Sequence, residues 1–200
     1  MRTVIPIYFD YASTLCYVAW RITSQLESEL EIEALWKGVP IKLRDRRAAA
    51  GRDLSPSERE KVAIVAAETG ISVIPPEHWL DTKAALEGSE LAREAGVFAA
   101  YHELTFRAAF EDRVDIGDLE VVARIAAQSG MNERQFRAEM TSGRMAPKIA
   151  ENKHEADRFS ALGYPTFILG DFPLIGIQPI DTMRLLFRRY MEQRARDPGS

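Results

Sequence analysis

The sequence predicts an α/β fold in which a large block of helices interrupts a sheet. Two observations carry this prediction. The chain opens with a strand, a helix and a second strand, and it closes with two strands and a helix. From about residue 55 the patterns between these ends are helices in series. A sheet that forms early in the chain and is completed late implies one α/β domain with a helical insertion.

The opening of the chain is a β-α-β unit. Residues 3–9 are mostly apolar and β-branched, which predicts a strand, and small polar residues at 10–14 then break the pattern. Apolar residues next recur at helical spacing, at Leu15, Val18, Ile22 and Leu26. Side-chain type then alternates over residues 31–37, with Ile32, Ala34 and Trp36 at every second position, which predicts a second strand. The right-handed crossover rule makes these two strands parallel neighbours.

The middle of the chain is predicted to be helical. Ser55 can cap a first helix, with Pro56 at its first helical position. Further helices are expected near residues 82–95, 97–111, 117–129, 132–141 and 146–161. Glycines, which suit helix ends, coincide with the breaks at Gly70, Gly96, Gly130 and Gly143.

The end of the chain returns to strands. Residues 165–169 and 173–177 are predicted to form a hairpin around the Gly170-Asp171 turn. Pro179 starts a last amphipathic helix, and residues 192–200 are expected to fray. We expect one domain over residues 1–200, with residues 44–145 as the helical insertion and residues 1–43 plus 146–196 as the sheet-bearing part.

Composition narrows the function classes. The formal charge of −4 comes from 26 basic and 30 acidic residues that are spread along the chain, so nucleic acid and membrane surfaces are not expected partners. The amino-terminal residues suggest a strand and not a signal peptide, and no apolar stretch approaches the roughly 20 residues of a membrane span. We expect a soluble protein.

Cysteine and histidine usage narrows the chemistry. The single cysteine, Cys16, excludes an intrachain disulfide and suits a reducing compartment, so a cytoplasmic location is expected. The three histidines, His78, His102 and His154, lie far apart with no metal-ligand spacing. No metal site is predicted.

Three short stretches carry a family resemblance. They are residues 9–17 (Phe-Asp-Tyr-Ala-Ser-Thr-Leu-Cys-Tyr), residues 162–167 (Leu-Gly-Tyr-Pro-Thr-Phe) and residues 176–179 (Gly-Ile-Gln-Pro). In this order the chain resembles the DsbA-like branch of the thioredoxin superfamily. The most similar groups are the FrnE-like oxidoreductases, the kappa-class glutathione transferases and the 2-hydroxychromene-2-carboxylate isomerases. The resemblance implies a thioredoxin-like fold with a DsbA-type helical insertion.

The resemblance places an active site at the start of the first helix, where free amides and the helix dipole stabilise an anion. In the oxidoreductases the first motif position is the attacking cysteine and the fourth resolves it. Here Ser13 holds the first position and Cys16 the fourth. Without a second thiol, a two-cysteine exchange cycle is impossible.

The glutathione-using relatives suggest another role for the first position, because their serine hydrogen-bonds the sulfur of glutathione. The resemblance therefore implies an enzyme, a transferase or isomerase, that uses glutathione or another low-molecular-weight thiol with an electrophilic substrate. It assigns Ser13 and Cys16 as catalytic residues and implies a cis peptide bond before Pro165. It names as thiol-binding residues Thr14, Leu15, Tyr164, Pro165 and Gln178. Where those relatives carry an acidic residue, this chain has Pro179, with Asp181 two residues on. A homodimer is an option by analogy.

Alternatives stay open. Cys16 alone can act through mixed disulfides as a monothiol oxidoreductase, or it can be a small buried hydrophobe. Ser13 can be only a helix cap, in which case the protein can be an inactive peptide-binding or chaperone-like module. His78 and Trp79 can line a cleft, although plain packing is the simpler interpretation.

Overall fold

The computed structural model describes residues 2–41, 54–74, 76, 80–161 and 163–196. In these residues four strands and eight helices follow one another as β1 (Thr3–Phe9), α1 (Thr14–Glu29), β2 (Ile32–Gly38), α2 (Pro56–Thr69), α3 (Lys83–Glu94), α4 (Phe98–Phe110), α5 (Leu119–Gln128), α6 (Glu133–Ser142), α7 (Ala146–Arg158), β3 (Thr166–Leu169), β4 (Phe172–Ile175) and α8 (Ile180–Arg196). The α/β fold with a helical insertion is confirmed.

The sheet has the order β2-β1-β3-β4. Strand β1 is parallel to β2, as the crossover rule predicts, and antiparallel to β3. Because strand side chains alternate between faces, β1 serves two packing layers. Ile5, Ile7 and Phe9 belong to the main core with α1, and Tyr8 packs with Ala156 of α7 on the other side. The carboxyl end of β1, which leads into α1, is therefore held from both faces.

The predicted ends of several elements shift by a few residues. Strand β4 stops at Ile175 and not at 177, because Gly176 takes a positive φ of 78°. Helix α7 ends at Arg158 and not at 161, and Ser160 just beyond has φ 53°. Helix α8 continues to Arg196, so the expected fraying from residue 192 is wrong for that stretch. Arginines in its last turn favour this continuation, since cations stabilise a helix carboxyl end.

Helix α1 is buried along most of its length and contributes many side chains to the main core. Its apolar side chains pack against the insertion, where Trp20 stacks on Phe106 with ring centroids 5.6 Å apart and Tyr17 stacks on Phe110 at 4.9 Å. Both partners belong to α4. The insertion thus covers the side of α1, and residues 13–16 at its amino-terminal end take no part in these ring contacts.

Candidate active site

The turn between β1 and α1 is fixed by Asp10, a residue that the sequence analysis did not single out. Its carboxylate is fully buried and accepts hydrogen bonds from the amides of Ala12, at 2.8 Å, and Ile41. Its carbonyl accepts from the amide of Ser13 at 3.1 Å. Burial raises the pKa of Asp10 to about 6, against the opposing effect of these amides. The sequence did contain a signal for this residue, because an acidic side chain directly follows a predicted buried strand.

Ser13 is the amino-terminal cap of α1. Its backbone is extended, with φ −89° and ψ 119°, and its Oγ accepts a hydrogen bond from the amide of Cys16 at 3.2 Å. Such a cap satisfies one of the orphan donors of the first helical turn. The capping interpretation of Ser13 is therefore confirmed, and it leaves the hydroxyl proton available for a second partner.

That second partner comes from the far end of the sequence. The Ser13 hydroxyl donates to the carbonyl oxygen of Tyr164 at 3.4 Å, and the Tyr164–Pro165 peptide bond is cis, as the resemblance implies. Ser13 and Tyr164 are half-buried, whereas Pro165 is buried. The structure thus brings together the first motif position and the segment before β3, which are 151 residues apart in the chain.

Thr14 and Leu15 form the first helical positions beside this contact, and both are buried. The Thr14 Oγ1 atom is buried and has no hydrogen-bond partner. An unpartnered buried hydroxyl costs about 1 to 3 kcal/mol, and a ligand that opened this turn and paired with Oγ1 would recover that cost. The helix dipole adds a preference for negative charge at the same place. This end of α1 suits a polar or anionic group.

Cys16 lies on the inner side of the same turn, in the core. Its side chain is 0% exposed, and burial raises the pKa of the thiol to about 12 although the Ser13 side chain opposes that shift. A nucleophilic cysteine is a thiolate, which this environment disfavours strongly. The interpretation as a small buried hydrophobe fits, and the structure works against the catalytic role predicted for Cys16.

Gln178 lies between β4 and α8 and is half-buried. Within the described parts of the chain, no hydrogen bond joins Gln178 to Ser13 or Tyr164. Its predicted part in thiol binding is therefore not supported by a contact with either residue. At the start of α8 the protein's own carboxylate occupies one of the free amides, because Glu68 of α2 accepts a hydrogen bond from the amide of Ile180 at 3.2 Å. His78 and Trp79 lie outside the described residues.

Two broader predictions can be compared with the described residues. No cluster of three or more histidine, cysteine, aspartate or glutamate side chains among them is arranged to hold a metal ion. In the same part of the chain, no helix has the length and apolar character needed to cross a membrane.

A family model and a curated relative match most of the chain. The model of the DSBA-like thioredoxin domain matches residues 4–188. The uncharacterized protein YwbO of Bacillus subtilis (strain 168) is 22% identical over 187 residues, which cover 88% of this chain and 91% of that protein.

Solved structures agree on the fold. A structure of 2-hydroxychromene-2-carboxylate isomerase has a TM-score of 0.76 and 20% identity, covering 99% of this chain and 100% of its own. The probable DsbA oxidoreductase SCO1869 from Streptomyces coelicolor has a TM-score of 0.78 and 19% identity, covering 96% and 92%. The cytosolic disulfide reductase DsbM from Pseudomonas aeruginosa, in a structure with GSH, has a TM-score of 0.66 and 19% identity, covering 96% and 99%.

Proposed function

Because this chain belongs to the family of DSBA-like thioredoxin domains, we propose that it is a thiol-linked enzyme whose reacting sulfur belongs to a bound small thiol. The thiol is glutathione or a low-molecular-weight thiol like it, and the reaction is a transfer or isomerisation on an electrophilic substrate. The observation that carries the proposal is the Ser13 hydroxyl, which caps α1 and contacts the Tyr164 carbonyl beside Pro165. It stands where the oxidoreductases place their attacking sulfur.

An external sulfur is required because the protein's own thiol is out of reach. Cys16 is the one cysteine of the sequence, and it is buried with a pKa raised to about 12. Neither a two-cysteine cycle nor a mixed disulfide through Cys16 can run from this position without opening the core. The monothiol alternative is therefore the weaker one.

The residues at the start of α1 can stabilise a sulfur anion. The Ser13 hydroxyl donates to it in place of the Tyr164 carbonyl, and the amide end of the helix adds its dipole. A charge-assisted hydrogen bond contributes about 1.5 to 3 kcal/mol, which lowers a thiol pKa by roughly one to two units. When bound, the small thiol supplies a nucleophile at neutral pH.

Other groups would orient the ligand. Thr14 Oγ1 is buried without a hydrogen-bond partner, so it would become a second polar partner only when ligand binding opens the first turn of α1. The Tyr164 carbonyl, freed from Ser13, is an acceptor for an amide of an extended ligand. Leu15 and Pro165, which are buried next to Ser13 and Tyr164 in the chain, would supply apolar surface. Pro179, and the Glu68 carboxylate at the start of α8, speak against carboxylate recognition there. A ligand carboxylate must be held elsewhere, or the thiol lacks one.

Cysteine usage and analogy with relatives suggest a location and an assembly for the enzyme. A single buried cysteine and no disulfide to maintain suit the reducing cytoplasm, so we place the enzyme there. A homodimer is proposed by analogy with the glutathione-using relatives. Sedimentation of the pure protein measures the assembly directly, and a monomer at micromolar concentration would contradict the dimer.

Titration calorimetry with reduced glutathione tests the proposed function. The wild-type protein is expected to bind, and Ser13→Ala is expected to weaken binding by roughly tenfold or more, the effect of one lost hydrogen bond. Ser55→Ala is the matched control, because Ser55 caps α2 in the same way, far from the site in sequence. It should bind as the wild type does.

Two results would contradict the proposal. If neither glutathione nor cysteine binds at millimolar concentration, the small-thiol function is wrong. If binding occurs but Ser13→Ala and Ser55→Ala behave alike, Ser13 is only a cap, and the inactive peptide-binding module becomes the better account.

A further inference from the structure

A second site lies on the side of α1 away from the cap. A cavity of about 790 Å³ opens between α1, β2 and the start of α4, a size typical of small-molecule sites. Its aromatic lining is supplied by Trp20, Trp36, Phe98 and His102. Neither Ser13 nor Tyr164 lines it, so this cavity is separate from the site proposed above.

His102 gives the cavity a polar atom that the fold leaves unpaired. The side chain is 2% exposed, and its Nδ1 lies 2.9 Å from the hydroxyl of Tyr11. Assigning the buried Tyr11 hydroxyl as the donor places the proton of the neutral imidazole on Nε2. That Nε2 has no hydrogen-bond partner. An acceptor arriving through the cavity would remove the cost of leaving it unpaired.

The charges around the cavity favour an uncharged ligand. Arg93 is paired with Glu90 at 3.1 Å, and Arg21 with Glu111 at 3.6 Å, so both lining cations are already compensated. The remaining charged residues of the lining are acidic, and while Glu103 is paired with Arg107 at 3.7 Å, Glu27 and Glu33 form no salt bridge with the lining arginines. An anion would approach an excess of negative charge, and an acceptor without charge would not.

We propose that this cavity binds an uncharged planar aromatic ring that carries an oxygen or nitrogen acceptor. The acceptor pairs with Nε2 of His102, and the ring lies against the aromatic lining. Aromatic rings gain from stacked and edge contacts, and the rings of the lining already pack in both ways: His102 stacks on Phe98 with centroids 4.9 Å apart and meets Trp20 edge-on at 6.4 Å. A ligand ring would extend this aromatic cluster into the cavity. Arg93 also lies 4.0 Å over the Phe98 ring, which braces that wall.

Nuclear magnetic resonance with benzamide as the probe tests this proposal. Benzamide is uncharged and has a carbonyl acceptor, benzoate is its anionic match, and toluene keeps the ring without the acceptor. Benzamide is expected to bind with a dissociation constant of about 1 mM, which is about −0.5 kcal/mol for each non-hydrogen atom and well inside the ceiling for a small ligand. Its binding should shift the imidazole nitrogen resonance of His102. Benzoate and toluene should bind at least several-fold more weakly.

A pair of variants on one helix locates the binding. Ala99→Trp fills the mouth of the cavity from an exposed position of α4, and Ala100→Trp places the same ring on an exposed neighbour that does not line it. Only Ala99→Trp should abolish benzamide binding. Both are surface changes, so folding is expected to survive them.

Three results would overturn the proposal. Benzamide fails to bind at about 10 mM, tenfold above the expected constant; or it binds equally to both tryptophan variants; or benzoate binds better than benzamide, which makes the cavity an anion site. If Ala99→Trp instead converts a dimer to a monomer, the cavity belongs to an interface between copies and the small-ligand proposal is also wrong.

Discussion

Ser13 and Cys16 lie within one turn of the same helix, yet their surroundings are opposite. Ser13 is half-buried, caps the helix and contacts the Tyr164 carbonyl, whereas Cys16 is 0% exposed and holds a thiol with a pKa raised to about 12. Three residues advance a helix by about 4.5 Å, and over this rise the surroundings change from the half-buried amino-terminal end of α1 to the core. The difference shows that the first position of the motif is available for chemistry and the fourth is part of the packing.

The largest effect, on the rate of thiol labelling, should come from adding a thiol at the first of these two positions. Ser13→Cys places a thiol at the helix amino terminus, where its pKa falls below about 8.5, so an aromatic disulfide reagent should label the native variant on the order of a thousandfold faster than the wild type. The native wild type should react only when unfolded. Rapid labelling of native wild-type protein would show that Cys16 is accessible and would remove the contrast.

Asp10 fixes the turn that leads from β1 into these two positions, and its protonation should affect stability. Its pKa is raised from 3.8 to about 6 in the folded state, so between these pH values the folded protein binds more protons than the unfolded chain. The free energy of unfolding should therefore fall as pH rises from about 4 to about 6, by roughly 3 kcal/mol from this group.

Denaturant unfolding at a series of pH values measures that contribution. Asp10→Asn should lose this part of the pH dependence, because the amide does not titrate. Asp171→Asn, an exposed change in the turn between β3 and β4, is the matched control and should keep the wild-type profile. Identical profiles for Asp10→Asn and wild type would contradict the buried, raised-pKa carboxyl.

Substitution of Cys16 tests the packing role. Cys16→Ala removes one heavy atom from the core and should cost about 1 kcal/mol of stability, while Cys16→Ser buries an unpaired hydroxyl and should cost about 2 kcal/mol. Any thiol-dependent activity should persist in both folded variants, as assayed well below their unfolding temperatures. Complete loss of activity in the folded Cys16→Ala protein would assign the chemistry to Cys16.

The smallest effect concerns the cap alone. Ser13→Ala and Ser55→Ala should each lower the free energy of unfolding by about 1 kcal/mol, since each removes a side-chain cap of a helix. Ser13→Asp should restore the cap and the stability but repel a thiolate. Ser13→Asp should therefore unfold at the wild-type temperature but bind glutathione more weakly than the wild type does. If both recover together, negative charge at this end of α1 is tolerated and no anion is held there.

Much of the fold follows from local sequence. The parallel β1 and β2 pair and the Ser55-Pro56 start of α2 were predicted from patterns within short windows. Positive φ at Gly70 and Gly143 likewise ends two predicted helices. Boundaries such as that of α8 depend on how far a helix continues beyond its packed face, which periodicity does not fix.

The site was predicted less completely, because its environments arise from packing between distant segments. The pattern around Cys16 allowed both a reactive and a buried thiol, and only the complete core distinguishes them. The contact between His102 and Tyr11 joins residues 91 apart, and the Glu68 contact at the start of α8 joins residues 112 apart. Among these, His102 had a local signal, since it falls on the aromatic stripe of α4 with Phe98 and Phe106.

The most direct test of the central claim uses the Cys16→Ala protein, which contains no thiol. Ultraviolet thiolate absorbance of bound glutathione, followed against pH, then reports the ligand sulfur alone. We predict that the pKa of this sulfur lies one to two units below its ordinary value of about 8.5 and that adding Ser13→Ala returns it to that value. An unshifted pKa, or a shift that survives the loss of the Ser13 hydroxyl, would contradict the account.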